Sequence, residues 1–168
     1  MKNIFFYDTE LGKYWIADNG EQGDAGKIQN FYFSQPFDIE KYQVCETDII
    51  RQAGIQLKEY IAGTRRTFDL PFDLKGTEFE KSVWNALLTI PYGEIRSYKD
   101  IAEQVGRPKA CRAVGRANGL NPIAIFIPCH RVVGSNKSLT GFAGGLEIKK
   151  RLLELENIEI DDRNRIVS

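Results

Sequence analysis

The hydrophobic rhythm of this chain changes partway along it, and that change limits the folds open to it. Up to about residue 35 the apolar residues come in short extended runs, as in Asn3-Ile4-Phe5-Phe6-Tyr7 and Gln29-Asn30-Phe31-Tyr32-Phe33. Turn-forming stretches, Asp18-Asn19-Gly20 and Gly23-Asp24-Ala25-Gly26, interrupt them. From Thr47 to Ala62 the period becomes helical, with Ile49, Ile50, Ala53, Leu57, Tyr60 and Ile61 at helical spacing and Gly63 following as a stop. Phe68-Asp69-Leu70-Pro71-Phe72-Asp73-Leu74-Lys75-Gly76 has no helical period, and its Pro and Gly suit an extended connector. The sequence therefore predicts an α/β (α+β) chain of two domains. Residues 1–74 form a small sheet with one packed helix, and residues 75–168 form a mainly helical domain.

Within the second part, Thr77 can cap a helix whose apolar face is Phe79, Val83, Trp84, Leu87 and Leu88, ended by Pro91-Tyr92-Gly93. Ser97 can cap a short helix to Val105, and after Gly106-Arg107-Pro108 a further helix is expected over Lys109–Asn118. Two short helices joined by a tight glycine-containing turn have the outline of a helix-turn-helix, whose second helix enters a DNA groove. That helix alternates small and basic residues, Lys109-Ala110-Cys111-Arg112-Ala113-Val114-Gly115-Arg116. Its backbone can approach a groove closely while the cations reach phosphates or bases. For Ala113 and Val114 close packing against the domain core is the default expectation. Arg112, a long cation among small neighbours, has the reach to fill a gap left in a base stack.

Charge marks a candidate nucleic-acid surface, for which a solvated basic face is the ordinary alternative and the one that charge alone favours. The chain is neutral overall, yet residues 91–151 carry 11 basic and 4 acidic side chains, against 8 and 12 in residues 1–74. No apolar run approaches the roughly 20 residues that span a bilayer, and Asp8 comes too early for a signal peptide, so the expected location is cytoplasmic. Three cysteines with no paired spacing, Cys45, Cys111 and Cys129, argue for reduced thiols. A single histidine, His130, leaves too few ligands for a zinc site, so no metal is expected.

The sharpest signal is Ile125-Phe126-Ile127-Pro128-Cys129-His130-Arg131-Val132-Val133, a strand-like run broken by a thiol, an imidazole and a guanidinium. An isolated buried cysteine is ordinarily an inert small hydrophobe. An adjacent imidazole changes that, because it can take the thiol proton directly or through a water. The imidazole needs a carboxylate in turn, and Glu147, Glu154 and Glu156 are the nearby candidates. Three function classes follow: a DNA-modifying cysteine protein, a thiol hydrolase, and a DNA-binding or damage-sensing module without chemistry. Adjacent residues of an extended chain point to opposite sides, which makes Cys129 and His130 a poor direct hydrolase dyad. The binding module leaves Pro-Cys-His-Arg unexplained.

Pro128-Cys129-His130-Arg131-Val132-Val133 resembles the active-site signature of the O6-alkylguanine-DNA alkyltransferases, also called methylated-DNA-protein-cysteine methyltransferases. Tyr92-Gly93, Ser97-Tyr98, Pro108-Lys109-Ala110, Arg112-Ala113-Val114-Gly115, Asn121-Pro122 and Gly144-Gly145-Leu146 occur in that family's order, so the resemblance covers about residues 68 to 158. It implies a partner, double-stranded DNA containing alkylated guanine, and irreversible transfer of the alkyl group to Cys129 with no cofactor. Alkylated thymine is a further substrate in view. By the same resemblance, His130 and Glu156 with a water draw away the thiol proton, Tyr98 protonates the leaving guanine, and Asn121 steadies the active-site turn. Arg112 fills the space of the extruded nucleotide, with Lys109, Ala110, Ala113, Gly115 and Arg116 beside it on the DNA. Arg131, Val132, Phe142, Ala143 and Gly144 line the base pocket. Phe142 and Ala143 stand where some relatives carry a tyrosine and a hydroxyl residue, so a backbone amide would have to serve the guanine oxygen. With no exposed heptad or palindromic dimer surface, the expected state is a monomer.

Overall fold

Extended, aromatic-rich runs at the start of the chain pair into a sheet. In the computed structural model, which describes residues 1–167, β1 (Asn3–Thr9) and β2 (Gly12–Asp18) form an antiparallel hairpin with Ile4 opposite Ala17 and Phe6 opposite Trp15. Thr9 closes the turn: its hydroxyl accepts from the amides of Leu11 and Gly12 and donates to the Gly12 carbonyl. β3 (Ile28–Tyr32) adds antiparallel to β2 and β4 (Gln43–Val44) parallel to β1, giving the order β3-β2-β1-β4. The alternation of side chains gives the sheet two faces. Helix α1 (Asp48–Ile61), capped by Thr47, buries Ile50, Ala53, Leu57 and Tyr60 and packs on the strands. The opposite face holds Ile4, Trp15 and Ala17 under Phe6, Tyr32, Ile39 and Tyr42. The buried Asp18 carboxylate accepts from Asn3, Gly20 and the Thr47 hydroxyl, fastening the end of β2 to the start of α1.

The chain folds as two compact units that divide between Lys75 and Gly76. The connector before that division is bound to the sheet: the Ile28 amide donates to the Pro71 carbonyl and the Asp73 amide to the Ile28 carbonyl. In the second unit α2 (Glu78–Leu87) starts at a reciprocal Thr77/Glu80 capping box. Its Trp84 indole donates to the Ala117 carbonyl at 2.9 Å. This bond fixes α2 to α4 (Cys111–Gly119). Between them α3 (Tyr98–Gln104) is capped by Ser97 and Asp100. The turn from α3 to α4 needs Gly106 at φ 78, and the Ala110 amide bonds back to the Arg107 carbonyl. Because residues 107–110 close that turn, α4 begins at Cys111, later than the expected Lys109. β5 (Arg96–Ser97) and β6 (Val132–Val133) pair in parallel. Helix α5 (Leu146–Leu155) then packs Leu153 with Val133, Leu139 and Ile160. No helix is long and apolar enough to cross a membrane among the described residues.

Candidate active site

The segment around Cys129 is where the sequence reading and the structure part. The run from Ile125 to Val133 reads as a strand, but only Val132–Val133 is one, and Cys129–Arg131 is a single turn of 3-10 helix. Pro122 and Pro128 have no amide hydrogen to give to a ladder. Asn121 draws the loop closed, donating to the Ile127 carbonyl at 2.8 Å and accepting from the Ile123 amide at 3.0 Å. Ile125 is forced to φ 73, a region costly for a β-branched residue and held here by near-complete burial. In a 3-10 turn successive side chains diverge by about 120°. Cys129 and His130 therefore still point apart, for a different reason than an extended chain would give.

Divergence sends His130 to a carboxylate. Its Nε2 lies 2.9 Å from Glu156 Oε2, and both side chains are fully buried. A carboxylate only accepts, so Nε2 carries the hydrogen and Nδ1 is the acceptor side of a neutral ring. Burial lowers the His130 pKa, opposed by the attraction of Glu156. Glu156 also accepts from Arg131 Nε at 2.9 Å, Arg131 Nη2 at 3.0 Å and the Gly93 amide at 2.8 Å. Burial alone would raise the Glu156 pKa, but the hydrogen bonds from His130 and Arg131 and the guanidinium charge beside it hold it at about 2. Glu147, by contrast, is exposed in the first turn of α5, and Glu154 is exposed as well.

Cys129 is 4% exposed. Burial pushes its thiol above the ordinary value, while hydrogen bonding from Asn121 and the charge of Lys149 pull the other way. Lys149 is wholly buried, and its ammonium donates to the carbonyls of Val132 at 2.7 Å and Thr140 at 3.3 Å. Desolvation brings its pKa down to about 8, against the opposing pull of Cys129. Burial raises the pKa of Tyr98, half-buried at the start of α3, and the hydrogen bond its hydroxyl shares with Thr140 acts against that rise. Cys129, Asn121, Lys149 and Tyr98 thus form one electrostatically linked group, with His130 and Glu156 behind it.

Above this group α4 turns two different faces. Val114, Ala117 and Asn118 are buried, and Asn118 donates to the Cys129 carbonyl at 3.4 Å. Arg112, Ala113 and Arg116 are exposed, as is Lys109 in the preceding turn, while Ala110 and Gly115 are half-buried. Ala113 is therefore on the open side and Val114 in the core. Arg131 is turned inward: its guanidinium is committed to Glu156 and to the Ile90 carbonyl, 2.7 Å from Nη1. Val132 is buried and offers its carbonyl to Lys149. Both brace the site from behind and offer little side-chain surface to a base. Phe142, Ala143 and Gly144 lie in the turn that leads into α5, closed by a bond from the Gly145 amide to the Phe142 carbonyl.

The sequence matches, over residues 78–158, the family described as 6-O-methylguanine DNA methyltransferase, DNA binding domain. The methylated-DNA–protein-cysteine methyltransferase of Methanosarcina acetivorans is 58% identical over 150 residues, 89% of this chain and 95% of that one. The constitutive enzyme of that name from Bacillus subtilis is 45% identical over 93% of this chain and 96% of its own. This chain belongs to the methylated-DNA–protein-cysteine methyltransferase family. Solved structures agree through both units. The Mycobacterium tuberculosis O6-methylguanine methyltransferase superposes with a TM-score of 0.83 at 43% identity, covering 93% of each chain. The M. tuberculosis OGT in complex with DNA gives 0.82 at 43% identity, covering 92% of each.

Two members of the site escaped the reading of this family sequence. Lys149 opens the run Lys149-Lys150-Arg151, which looks like solvated basic surface. The signal was its register: Lys149, Leu152, Leu153 and Glu156 recur at helical spacing and are all buried. Thr140 sits in a polar loop, and no local pattern marks it.

Proposed function

We propose that this protein repairs alkylated DNA by direct reversal, transferring the alkyl group of O6-alkylguanine in duplex DNA to the sulfur of Cys129, once per molecule. The observation that carries this reading is the placement of a buried thiol directly beneath an exposed basic helix. The carbonyl of Cys129 itself is bonded to that helix through Asn118.

The target oxygen lies inside the base stack, so the nucleotide must be extruded, at a cost of a few kcal/mol that a poorly paired damaged base reduces. Arg112, exposed near the start of α4, fills the vacancy, and Lys109 and Arg116 meet phosphates. As the base enters, the Cys129 thiol passes its proton through a bridging water to the neutral His130 ring, whose other nitrogen is held by Glu156. Lys149 and the Asn121 amide favour the thiolate that results. The sulfur attacks the alkyl carbon in line with O6, the carbon–oxygen bond breaks, and Tyr98 protonates the base so that neutral guanine leaves. The thioether left on Cys129 has no visible route to hydrolysis, so the stoichiometry is one. Action on genomic DNA in the cytoplasm, and on alkylated thymine through the same O-alkyl chemistry, belongs to this reading.

Intact-protein mass spectrometry after mixing with a duplex containing one O6-methylguanine tests it. A single methyl addition, absent in Cys129→Ser, is expected. Tight binding without any addition sinks the transfer reading in favour of a damage sensor, and turnover beyond one equivalent favours a hydrolase.

A further inference from the structure

Protonation of the departing base falls to Tyr98, and that phenol has one close partner with no part in the scheme so far. Tyr98 Oη lies 2.5 Å from Thr140 Oγ1. The Thr140 main chain is held as well, because its carbonyl accepts from Lys149 Nζ, which also bonds the Val132 carbonyl next to the nucleophile turn. Thr140 is thus fixed at both its side chain and its backbone, between the proton donor and the buried cation. We propose that Thr140 is a positioning residue of alkyl transfer, its hydroxyl donating to Tyr98 Oη while the phenol proton passes to the leaving base. The proposal rests on Tyr98 being the proton donor.

The chemistry of two hydroxyls makes the arrangement work. Each has one hydrogen and spare lone pairs, and each hydrogen rotates freely. Before a base is bound, the phenol is the stronger acid and donates to Thr140. When a ring nitrogen of the base arrives, the Tyr98 hydrogen turns to it, and Thr140 turns its own hydrogen onto Tyr98 Oη with no heavy atom moving. Hydrogen bonds in such a chain strengthen one another. The negative charge growing on the phenol oxygen would otherwise face both desolvation and the nearby thiolate. In balance, the sulfur–carbon bond forms, the carbon–O6 bond breaks, and the electron pair enters the purine, which gains the Tyr98 proton. The phenolate regains a proton from solvent, and His130 returns the thiol proton to solvent. Thr140 keeps its own proton throughout.

The test is a double-mutant cycle in single-turnover transfer from a duplex carrying one O6-methylguanine, with the rate followed against protein concentration. Thr140→Val should slow the saturated rate about 10- to 100-fold, the worth of a hydrogen bond to a charged oxygen, and leave the half-saturating concentration unchanged. Thr140→Ser should restore the rate to within about threefold. In a Tyr98→Phe background Thr140→Val should cost no more than about twofold, because Thr140 acts through the phenol. If Val at this position prevents folding, Thr140→Ala takes its place in the cycle, since the main-chain bond to Lys149 survives either change. Equal slowing in both backgrounds, or a wild-type rate for Thr140→Val, overturns the proposal and leaves Tyr98 in its role. A wild-type rate for Tyr98→Phe overturns the proton-donor reading itself and takes this proposal with it.

Discussion

Replacing Glu156 by Gln removes one charge and almost no volume, so it isolates what that charge does. The carboxylate accepts from His130 at 2.9 Å, from Arg131 at 2.9 and 3.0 Å, and from the Gly93 amide at 2.8 Å. The Glu156→Gln change would leave the Arg131 guanidinium, 6% exposed, without a counter-charge. Stranding one partner of a buried pair costs about 3–5 kcal/mol, a large part of the roughly 5–15 kcal/mol that holds a domain folded. Catalysis suffers by a separate route. If the new amide nitrogen faces His130, the imidazole hydrogen must move to Nδ1, and the ring can no longer accept the thiol proton. If it faces Arg131, donor meets donor. Loss of a general base typically costs about 10²–10⁴-fold. Urea unfolding at neutral pH should therefore show Glu156→Gln destabilised by about 3 kcal/mol or more, and Arg131→Met added to it should recover part of the loss. A loss below about 1 kcal/mol, or a double variant no more stable than Glu156→Gln, would refute the idea that Arg131 depends on this carboxylate.

Three further outcomes are expected. Glu156 titrates at about 2 in the folded chain against an ordinary 4.5, so the unfolded chain binds its proton first and about 3 kcal/mol is lost as pH falls from 4.5 toward 2. His130, depressed by burial, has the same sign and starts the decline as pH drops through its ordinary 6.5; denaturant melts at stepped pH check both, and a flat profile contradicts them. Lys149→Met removes a buried ammonium that helps the thiolate, so transfer should slow at least about tenfold while the thermal midpoint stays within a few degrees, the lost carbonyl bonds being offset by relief of desolvation; transfer at the wild-type rate would remove Lys149 from the chemistry. Gly54→Ala would place a methyl 2.4 Å from the Tyr7 ring, and calorimetry should find the protein destabilised by about 1–3 kcal/mol; an unchanged midpoint would mean that α1 shifts freely on the sheet.

The features legible in the sequence were those set by local chemistry. Thr77 and Ser97, each followed three residues later by an acid, announced helix starts that became capping boxes. The strand-rich start, the helix after Thr47 and the turn at Gly106 are likewise properties of short windows. Local chemistry narrowed the carboxylate for His130 only to three glutamates, and it was the family resemblance that singled out Glu156, because the choice depends on how α5 packs, 26 residues further on. The fold of the Cys129 loop was misread because apolar residues favour burial without specifying strand or turn. Its two prolines and the Asn121 amide decide the matter, and only the prolines act locally. Thr140 joins the site through a tertiary contact that its neighbours in sequence do not hint at, whereas Lys149 is marked for burial by its helical register with Leu152, Leu153 and Glu156.

The seclusion of Cys129 matters beyond the moment of reaction. A sulfur that can be used once is lost to any electrophile that finds it first. Within the pocket it rests chiefly as the un-ionised thiol, a poor target for small reactive molecules diffusing through the cell. Cys45 and Cys111 are both more exposed, so a reagent that samples thiols by access reaches them more readily than the repair sulfur. The number of repairs a cell can still perform is then set by how many molecules it has made and not yet used on DNA, with few written off to chance encounters in solution.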